Sequence, residues 1–296
     1  MVIDCRPIAK QWKEKMKQEV ANFGRNNVPS LCVFVAKDYD KASSTYVRNK
    51  SRACEEVGVH QTTVEFDWES WSEEYLISQI DFACKQFDGV MVQLPLPPKY
   101  NVRNVVNAIH PSCDVDGLTE INMGKFVCSK TNDGDFFIPC TTLGVLKICK
   151  SLRFHLDGAN ISVVGRSNIV GKPTAIALEH ENASVTILHS HSLLYGIRKS
   201  VSESDIVISA IGKAGILNQA GILNNFINDN SASVIIDCGY SFKDGHSCGD
   251  FDPSQVSETT LRQISYTPTP HGTGVLTVCG LLENTIKAYK KRNKLE

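Results

Sequence analysis

No apolar run in this chain approaches the roughly 18 residues that a membrane-spanning helix needs, so no span is expected. The chain also lacks CxxC pairs and the short cysteine–histidine spacings of a structural zinc site. Its eleven cysteines are odd in number and scattered from Cys5 to Cys279. A disulfide framework, which belongs mainly to small secreted domains, is therefore not expected. Cys32 in LCVFVA and Cys238 in SVIIDC read instead as small hydrophobes in packed runs. The start, MVIDCRPIAK, has no secretory signal and enters an amphipathic pattern at once, so a cytoplasmic protein is expected. An excess of one charge is missing too: 31 Lys and Arg face 32 Asp and Glu. A net charge of −1 argues against broad capture of nucleic acid or an anionic membrane. With 20 Gly and 11 Pro in 296 residues, the chain is neither collagen-like nor linker-rich. What remains is an ordinary globular composition, long enough for two domains.

The two halves have different rhythms. In the first, 31–36 (LCVFVA) reads as a buried strand and 44–57 as a helix with Ser43 as its N-cap. Residues 59–66 alternate like a strand. Ser70 and Glu73 have capping-box spacing ahead of a helix that runs to about Phe87. GVMVQL reads as a strand stopped by Pro95 and Pro97. A helical stretch near 102–109 precedes an irregular region at 110–141. From 142 onward, helices alternate with short apolar strands (NISVVG, SVTILH, DIVISAIG, SVIIDCG), the pattern of βαβ units and a parallel sheet covered on both faces. The tail, 274–292, reads as a helix with basic last turns.

In doubly wound sheets, ligands sit beyond the carboxyl ends of the strands. Gly165 ends the first strand of the regular half, and Gly171 opens the next helix, whose N-terminus offers N–H groups to a phosphate. An NAD site usually places a carboxylate after the second strand, on the ribose 2′-OH. Here that position reads Leu188-His189-Ser190-His191, without an acid, while Arg166 lies past the first strand. This set suits a 2′-phosphate and points to NADP. In the first half, Tyr46 and Lys50 are four apart on a largely apolar helix face with Val47, Cys54 and Val57. A lysine there either snorkels to water or is enclosed, and enclosure would lower its pKa and make it a usable acid–base group. Gln93 ends a strand beside a rigid proline turn. Asp114 and Asp116, in DVDG, are too few for a calcium loop, and at least one is expected to serve the turn.

Six ordered segments resemble the bifunctional methylenetetrahydrofolate dehydrogenase/cyclohydrolase family: KASSTYVRNKSRACEEVG (41–58), VQLPLP (92–97), HPSCDVDGLTEINMGKF (110–126), FIPCTTLGV (137–145), VVGRSNIVGKP (163–173) and TPTPHGTGVLT (267–277). The resemblance covers nearly the whole chain. It implies an α/β fold of two lobes, a folate-binding catalytic domain (1–141 plus 276–296) and a Rossmann-like, doubly wound NADP domain (142–275), with a cleft between them. The implied activity is oxidation of 5,10-methylenetetrahydrofolate with NADP and hydrolysis of the product to 10-formyltetrahydrofolate. By the same resemblance Lys50 would be the central catalytic residue, Gln93 its assistant, Tyr46 a border of the pterin and Asp116 a hydrogen-bonding partner of its ring. Leu94, Pro270, His271 and Gly272 would complete the substrate contacts. Gly165, Arg166, Ser167, Ile169, Val170, Gly171, His189, Ser190, Gly212, Gly239, Gly274 and Thr277 would hold the cofactor. No metal is implied, and the family forms homodimers.

Three departures bear on substrate fit. The family's PGGVGPMT is PHGTGVLT here, so His271, Thr273 and Val275 replace Gly, Val and Pro. A histidine at 271 needs negative φ or a strained position where glycine is free. The family's VGDxPAS becomes VAKDYDKAS (35–43), and PCTP becomes Pro139-Cys140-Thr141-Thr142. A chain drifting at such loops could keep the dehydrogenase and lose the cyclohydrolase, or bind folate or nucleotide without catalysis. Intact Tyr46, Lys50, Gln93 and Asp116 weigh against the latter. VQLPLP and DVDG speak against a shikimate-type dehydrogenase.

Overall fold

Each long apolar run becomes the centre of a parallel sheet. The structure, a computed structural model, describes residues 1–24, 27–223, 233–243 and 245–295. The chain forms two compact units, one of Lys10–Ser129, Asp133–Cys140 and Val278–Glu296, the other of Met1–Ala9, Lys130–Asn132 and Thr141–Thr277.

In the first of these, α1 (Arg6–Asn22) is followed by β1 (Ser30–Ala36), α2 (Lys41–Val57), β2 (His60–Phe66), α3 (Glu73–Gln86), β3 (Gly89–Val92), α4 (Val102–Asn107) and α5 (Glu120–Cys128). The strands pair in parallel in the order β2-β1-β3. The middle strand is LCVFVA, buried along its length, as a strand covered on both faces must be. Its neighbours lie on opposite sides, so the crossovers diverge beyond the carboxyl ends of β1 and β3 and leave a crevice there. Phe34, Phe66, Leu76, Ile80 and Val105 fill the core on one face of this sheet. Each such side chain contributes about 1.5–3 kcal/mol on burial. On α1, Trp12, Met16 and Val20 are buried at helical spacing, and Trp12 donates to Glu283.

The second unit is wound around β4 (Asn160–Val164). After α6 (Cys140–Ser151) and β4 come α7 (Gly171–Glu179), β5 (Ser184–Leu188), α8 (Leu194–Ser202), β6 (Ile206–Ser209), β7 (Ser233–Asp237), β8 (Ser241–Lys243), β9 (His246–Cys248), α9 (Glu258–Gln263), β10 (Ile264–Tyr266) and α10 (Thr273–Asn293). Five strands pair in parallel in the order β10-β7-β6-β4-β5, and β8 and β9 form a small antiparallel hairpin. The order reverses at β4, which places the ligand crevice of a doubly wound sheet at Gly165. Residues 1–3 join this unit by extending it: Val2 bridges Tyr266, and Ile3 N–H donates to the Tyr266 carbonyl at 2.7 Å.

Local chemistry moves several boundaries from their expected places. α2 is capped by Asp40, whose carboxylate accepts the Ser43 N–H at 2.9 Å, so Ser43 lies inside the helix rather than at its cap. α3 is capped by Ser72, which accepts from Tyr75 N–H, while the Ser70 hydroxyl donates to Asp67. β3 ends at Val92, two residues earlier than GVMVQL suggested: Gln93 N–H still donates to the Phe34 carbonyl at 2.8 Å, and Pro95 then has no N–H to continue the ladder. The stretch 110–141 is not wholly irregular: Thr119 caps α5 within it. Neither the β8–β9 hairpin nor β10 stands out in the sequence, since three-residue strands are too short for a period.

Candidate active site

The β1/β3 crevice gathers three of the residues singled out above. Lys50 lies two turns into α2, on the face that also buries Val47, Cys54 and Val57. Enclosure, not snorkelling, is its outcome: the whole side chain is 8% exposed. Its Nζ donates to Gln93 Oε1 at 2.7 Å and lies 3.5 Å from Met91 Sδ. Gln93 follows β3 directly. Its Nε2 donates to the Leu94 carbonyl at 2.7 Å, which turns the amide oxygen toward Lys50. Burial pushes the Lys50 amine below its ordinary pKa, and the carboxylate of Asp116 nearby works in the opposite sense. Burial likewise raises Asp116, against the attraction of Lys50. Both groups are driven toward their neutral forms. Tyr46, one turn before Lys50 on α2, is half-buried.

Asp114 and Asp116 divide the work in DVDG. Asp114 is fully buried. One of its oxygens accepts the N–H groups of Gly117 and Leu118 at 3.0 and 3.2 Å, and the other accepts Thr119 N–H at 2.8 Å and Asn122 Nδ2 at 2.9 Å. It is the turn-forming member. Gly117 takes φ +71, and a Cβ there would stand 2.6 Å from the Phe137 carbonyl oxygen, so only glycine closes this turn. Asn284 of α10 donates to the carbonyls of Val115 and Ile138 at 2.8 and 2.9 Å, and the Cys140 thiol donates to Val115 as well. Asn122 and Asn284 escaped sequence reasoning. The available signal was an amide on a largely apolar helix, which must find buried partners.

In the five-stranded unit, Gly165 and Gly171 meet across the turn that follows β4. A Cβ on Gly171 would lie 2.4 Å from the Gly165 carbonyl oxygen, and one on Gly165 would lie 2.3 Å from that of Ala210. Gly165 also holds φ +133. The turn is a backbone-only surface against which a flat or phosphorylated ligand can press. Ser167 accepts the N–H groups of Val170 and Gly171 and so fixes the turn that leads into α7. Ile169 is 44% exposed beside it. Val164 and Leu188 are register partners, so Arg166 and the pair His189 and Ser190 leave adjacent strand ends. Arg166 and Ser190 are exposed, and no carboxylate lies in 189–192. His189 Nδ1 accepts the His191 backbone N–H at 3.2 Å, which leaves Nε2 to carry the proton of the neutral ring.

The loops after β6 and β7 are held by two carboxylates that the sequence did not mark. Asp250 accepts from Ser209 Oγ, Ile211 N–H and Lys213 N–H at 2.7–2.8 Å, and so shapes the turn containing Gly212. Asp237 accepts from Gly239 and Phe251 N–H. A Cβ on Gly239 would collide with Asp250 at 2.1 Å. Thr277 donates to the Thr273 carbonyl and meets Thr141 at 3.2 Å, whereas Gly274 borders open space. Pro270, His271 and Gly272 lie in the loop before α10, in this same unit. Pro270 follows a cis bond, and His271 takes φ +77, the strained alternative. Among the described residues, no group of three His, Cys, Asp or Glu side chains could hold a metal ion.

A doubly wound sheet with a glycine-lined first turn, joined in one chain to an enclosed lysine–glutamine pair, defines a nucleotide-dependent α/β enzyme with acid–base chemistry. Residues 139–293 match the family described as tetrahydrofolate dehydrogenase/cyclohydrolase, NAD(P)-binding domain, and residues 3–116 match its catalytic domain. The chain belongs to the tetrahydrofolate dehydrogenase/cyclohydrolase family. It is 36% identical to the bifunctional protein FolD of Oceanobacillus iheyensis, over 100% of this chain and 99% of that one. It is also 36% identical to that of Bacillus pumilus, over 98% of each. The FolD methylenetetrahydrofolate dehydrogenase/cyclohydrolase of Campylobacter jejuni superposes with a TM-score of 0.87 at 29% identity, covering 99% of both chains. The Trypanosoma brucei enzyme, complexed with NADP cofactor and inhibitor, gives 0.87 at 29% identity, over 99% of this chain and 98% of that one.

Proposed function

We propose that the enclosed amine of Lys50 is the acid–base group of an enzyme that oxidises 5,10-methylenetetrahydrofolate to the methenyl form with NADP and hydrolyses that product to 10-formyltetrahydrofolate. In this reading the three-stranded unit takes the folate and the five-stranded unit the cofactor. Tyr46 borders the pterin, Asp116 hydrogen-bonds its ring, Gln93 and Leu94 flank the one-carbon bridge, and Pro270, His271 and Gly272 add substrate contacts. Arg166 and Ser190 receive the 2′-phosphate. Gly165, Ser167, Ile169, Val170, Gly171, His189, Gly212, Gly239, Gly274 and Thr277 complete the cofactor site. The Gly165–Gly171 backbone surface, which any Cβ would fill, and the absence of a carboxylate after β5 support NADP.

When bound, NADP supplies the hydride acceptor. The protein's part in that step is positioning. In hydrolysis, neutral Lys50 takes a proton from the water that attacks the methenyl carbon and returns one to the ring nitrogen as the bond to it breaks. Gln93, its amide fixed by the Leu94 carbonyl, keeps Nζ from swinging out of line. Asp116, itself pushed toward the neutral acid, accepts from the pterin without leaving a full buried charge beside the cation.

The observation that carries this reading is the buried Nζ at 2.7 Å from Gln93 Oε1. Its test is Lys50→Met, checked for retained fold by thermal melting. The loss of methenyltetrahydrofolate absorbance is expected to fall to the rate of the enzyme-free blank. Turnover near the wild-type rate would remove Lys50 from the chemistry.

Two copies are assigned to a homodimer through β5. Val2 covers the outer side of β10, whereas β5 ends the sheet with Ile187 exposed, and Leu193 and Tyr195 in the segment that follows are exposed too. Eleven free thiols suit the reducing cytoplasm, and no helix among the described residues is long and apolar enough to cross a membrane.

A further inference from the structure

The end of α3 and the turn after α4 bring two thiols, neither assigned to folate or cofactor, to the backbone of one residue. Both are tied to one residue: Cys84 Sγ accepts the His110 backbone N–H at 3.4 Å, and Cys113 Sγ donates to the His110 carbonyl at 3.3 Å. Cys113 is buried and Cys84 half-buried, yet both line an open cavity of about 550 Å³. The end of α10 and the residues just beyond it bring Lys291, Arg292 and Lys294 to the same cavity. Lys291 pairs with Asp135 at 2.7 Å, and Arg292 lies 3.9 Å from Asp88, so three cations face two carboxylates. Lys294 is exposed.

The two sulfurs are not equivalent. The neighbouring Cys113 thiol holds the Cys84 thiol below its ordinary pKa, against the cost of burial. The same proximity, with burial, pushes Cys113 up. A nucleophilic thiol with a higher-pKa thiol beside it is the arrangement that thiol–disulfide exchange uses.

We propose that this cavity is a thiol–disulfide exchange site for an anionic, low-molecular-mass disulfide such as oxidised glutathione, with Cys84 as the attacking thiol and Cys113 as the resolving thiol. The Cys84 thiolate attacks one sulfur of the reagent; the reagent's S–S bond breaks, one glutathione thiolate leaves, and a mixed disulfide remains on Cys84. Cys113 gives its proton to the departing thiolate or to solvent and attacks Cys84 Sγ. The second glutathione leaves and the Cys84–Cys113 bond forms. Two protein thiols are oxidised and one glutathione disulfide is reduced to two thiols. The cationic rim attracts the carboxylates of the reagent.

The test uses the reduced full chain, treated in parallel with oxidised glutathione and with the neutral 2-hydroxyethyl disulfide, then alkylated and mapped by mass spectrometry. Wild-type protein is expected to give a Cys84–Cys113 cross-linked peptide, with Cys84 consumed ahead of the exposed Cys128. Cys113→Ser is expected to stop at glutathione on Cys84, released by dithiothreitol. Lys294→Ala is expected to reduce the preference for the anionic reagent over the neutral one. Reaction at Cys128 ahead of or level with Cys84, or oxidised protein without the cross-link, overturns the proposal in the wild-type chain alone. An unchanged reagent preference in Lys294→Ala overturns it as well.

Discussion

A lysine on the apolar side of a helix either lays its stem along the surface with its ammonium in water or is enclosed and loses affinity for its proton. Lys50 is enclosed because Gln93 offers an acceptor at 2.7 Å where β3 ends. His271 shows the opposite balance, a side chain that remains exposed while its backbone takes φ +77. The left-handed region costs a residue with a Cβ about 1–2 kcal/mol. His271→Gly is therefore expected to raise stability by about 1 kcal/mol, read as a higher urea midpoint with unchanged slope. Arg166 is exposed at a strand end, so its role is separable from folding. Arg166→Ala is expected to raise KM for NADP about tenfold or more, the scale of a lost charge-assisted contact of 1.5–3 kcal/mol, while KM for NAD stays within about twofold. Steady-state assays with the two cofactors decide it.

At the level of elements, the turn after β3 matters most. Pro95, with no N–H to offer, keeps the strand from continuing, and the segment bridged to Val90 through Asp114 brings Asp116 back toward Lys50. Asp114 accepts three backbone N–H groups and one amide within a fully buried turn. Asp114→Ala leaves those donors unmet and is expected to cost about 3–5 kcal/mol in denaturant unfolding, with kcat falling as Asp116 shifts. Much of this level was legible. LCVFVA, NISVVG and SVTILH read correctly as strands because their apolar runs are bounded by turn residues. The placing of Tyr46 and Lys50 one turn apart on α2 followed from helical spacing alone. What was not legible rests on single side-chain bonds. Ser43 and Asp40 are both good caps, and only geometry selects Asp40. Asp250 and Asn284 look like surface residues until the segments they bind, at 209–213 and at 115 and 138, are seen beside them.

For the whole molecule, buried carboxylates tie pH to stability. Burial, reinforced by the charge of Asp250, raises Asp237 to about 7 against the backbone N–H bonds of Phe251, Gly239 and Asp250 that lower it. The unfolded chain releases that proton near pH 4, so between about pH 4 and 7 the folded state binds more protons. This contribution is fully present below pH 4 and lost as the pH rises through about 7; Asp116, raised by burial, acts in the same direction. The carboxylates of Asp4 and Asp135, lowered to about 2 by Arg6 and by Lys291 with Lys125, act below that window. Melting temperature is expected to fall from pH 5 to pH 7.5, and Asp237→Asn to flatten that slope, as calorimetry across the range would register. The amino-acid order by itself determined the alternation of strands and helices, the two-unit plan and the residue types at the reactive positions, because periodicity and turn chemistry act over short stretches of chain. The folded molecule decided which of two neighbouring aspartates serves the turn, which lysine is kept from water and which thiols share a cavity, because burial and hydrogen-bond partners come from residues dozens to hundreds of positions away.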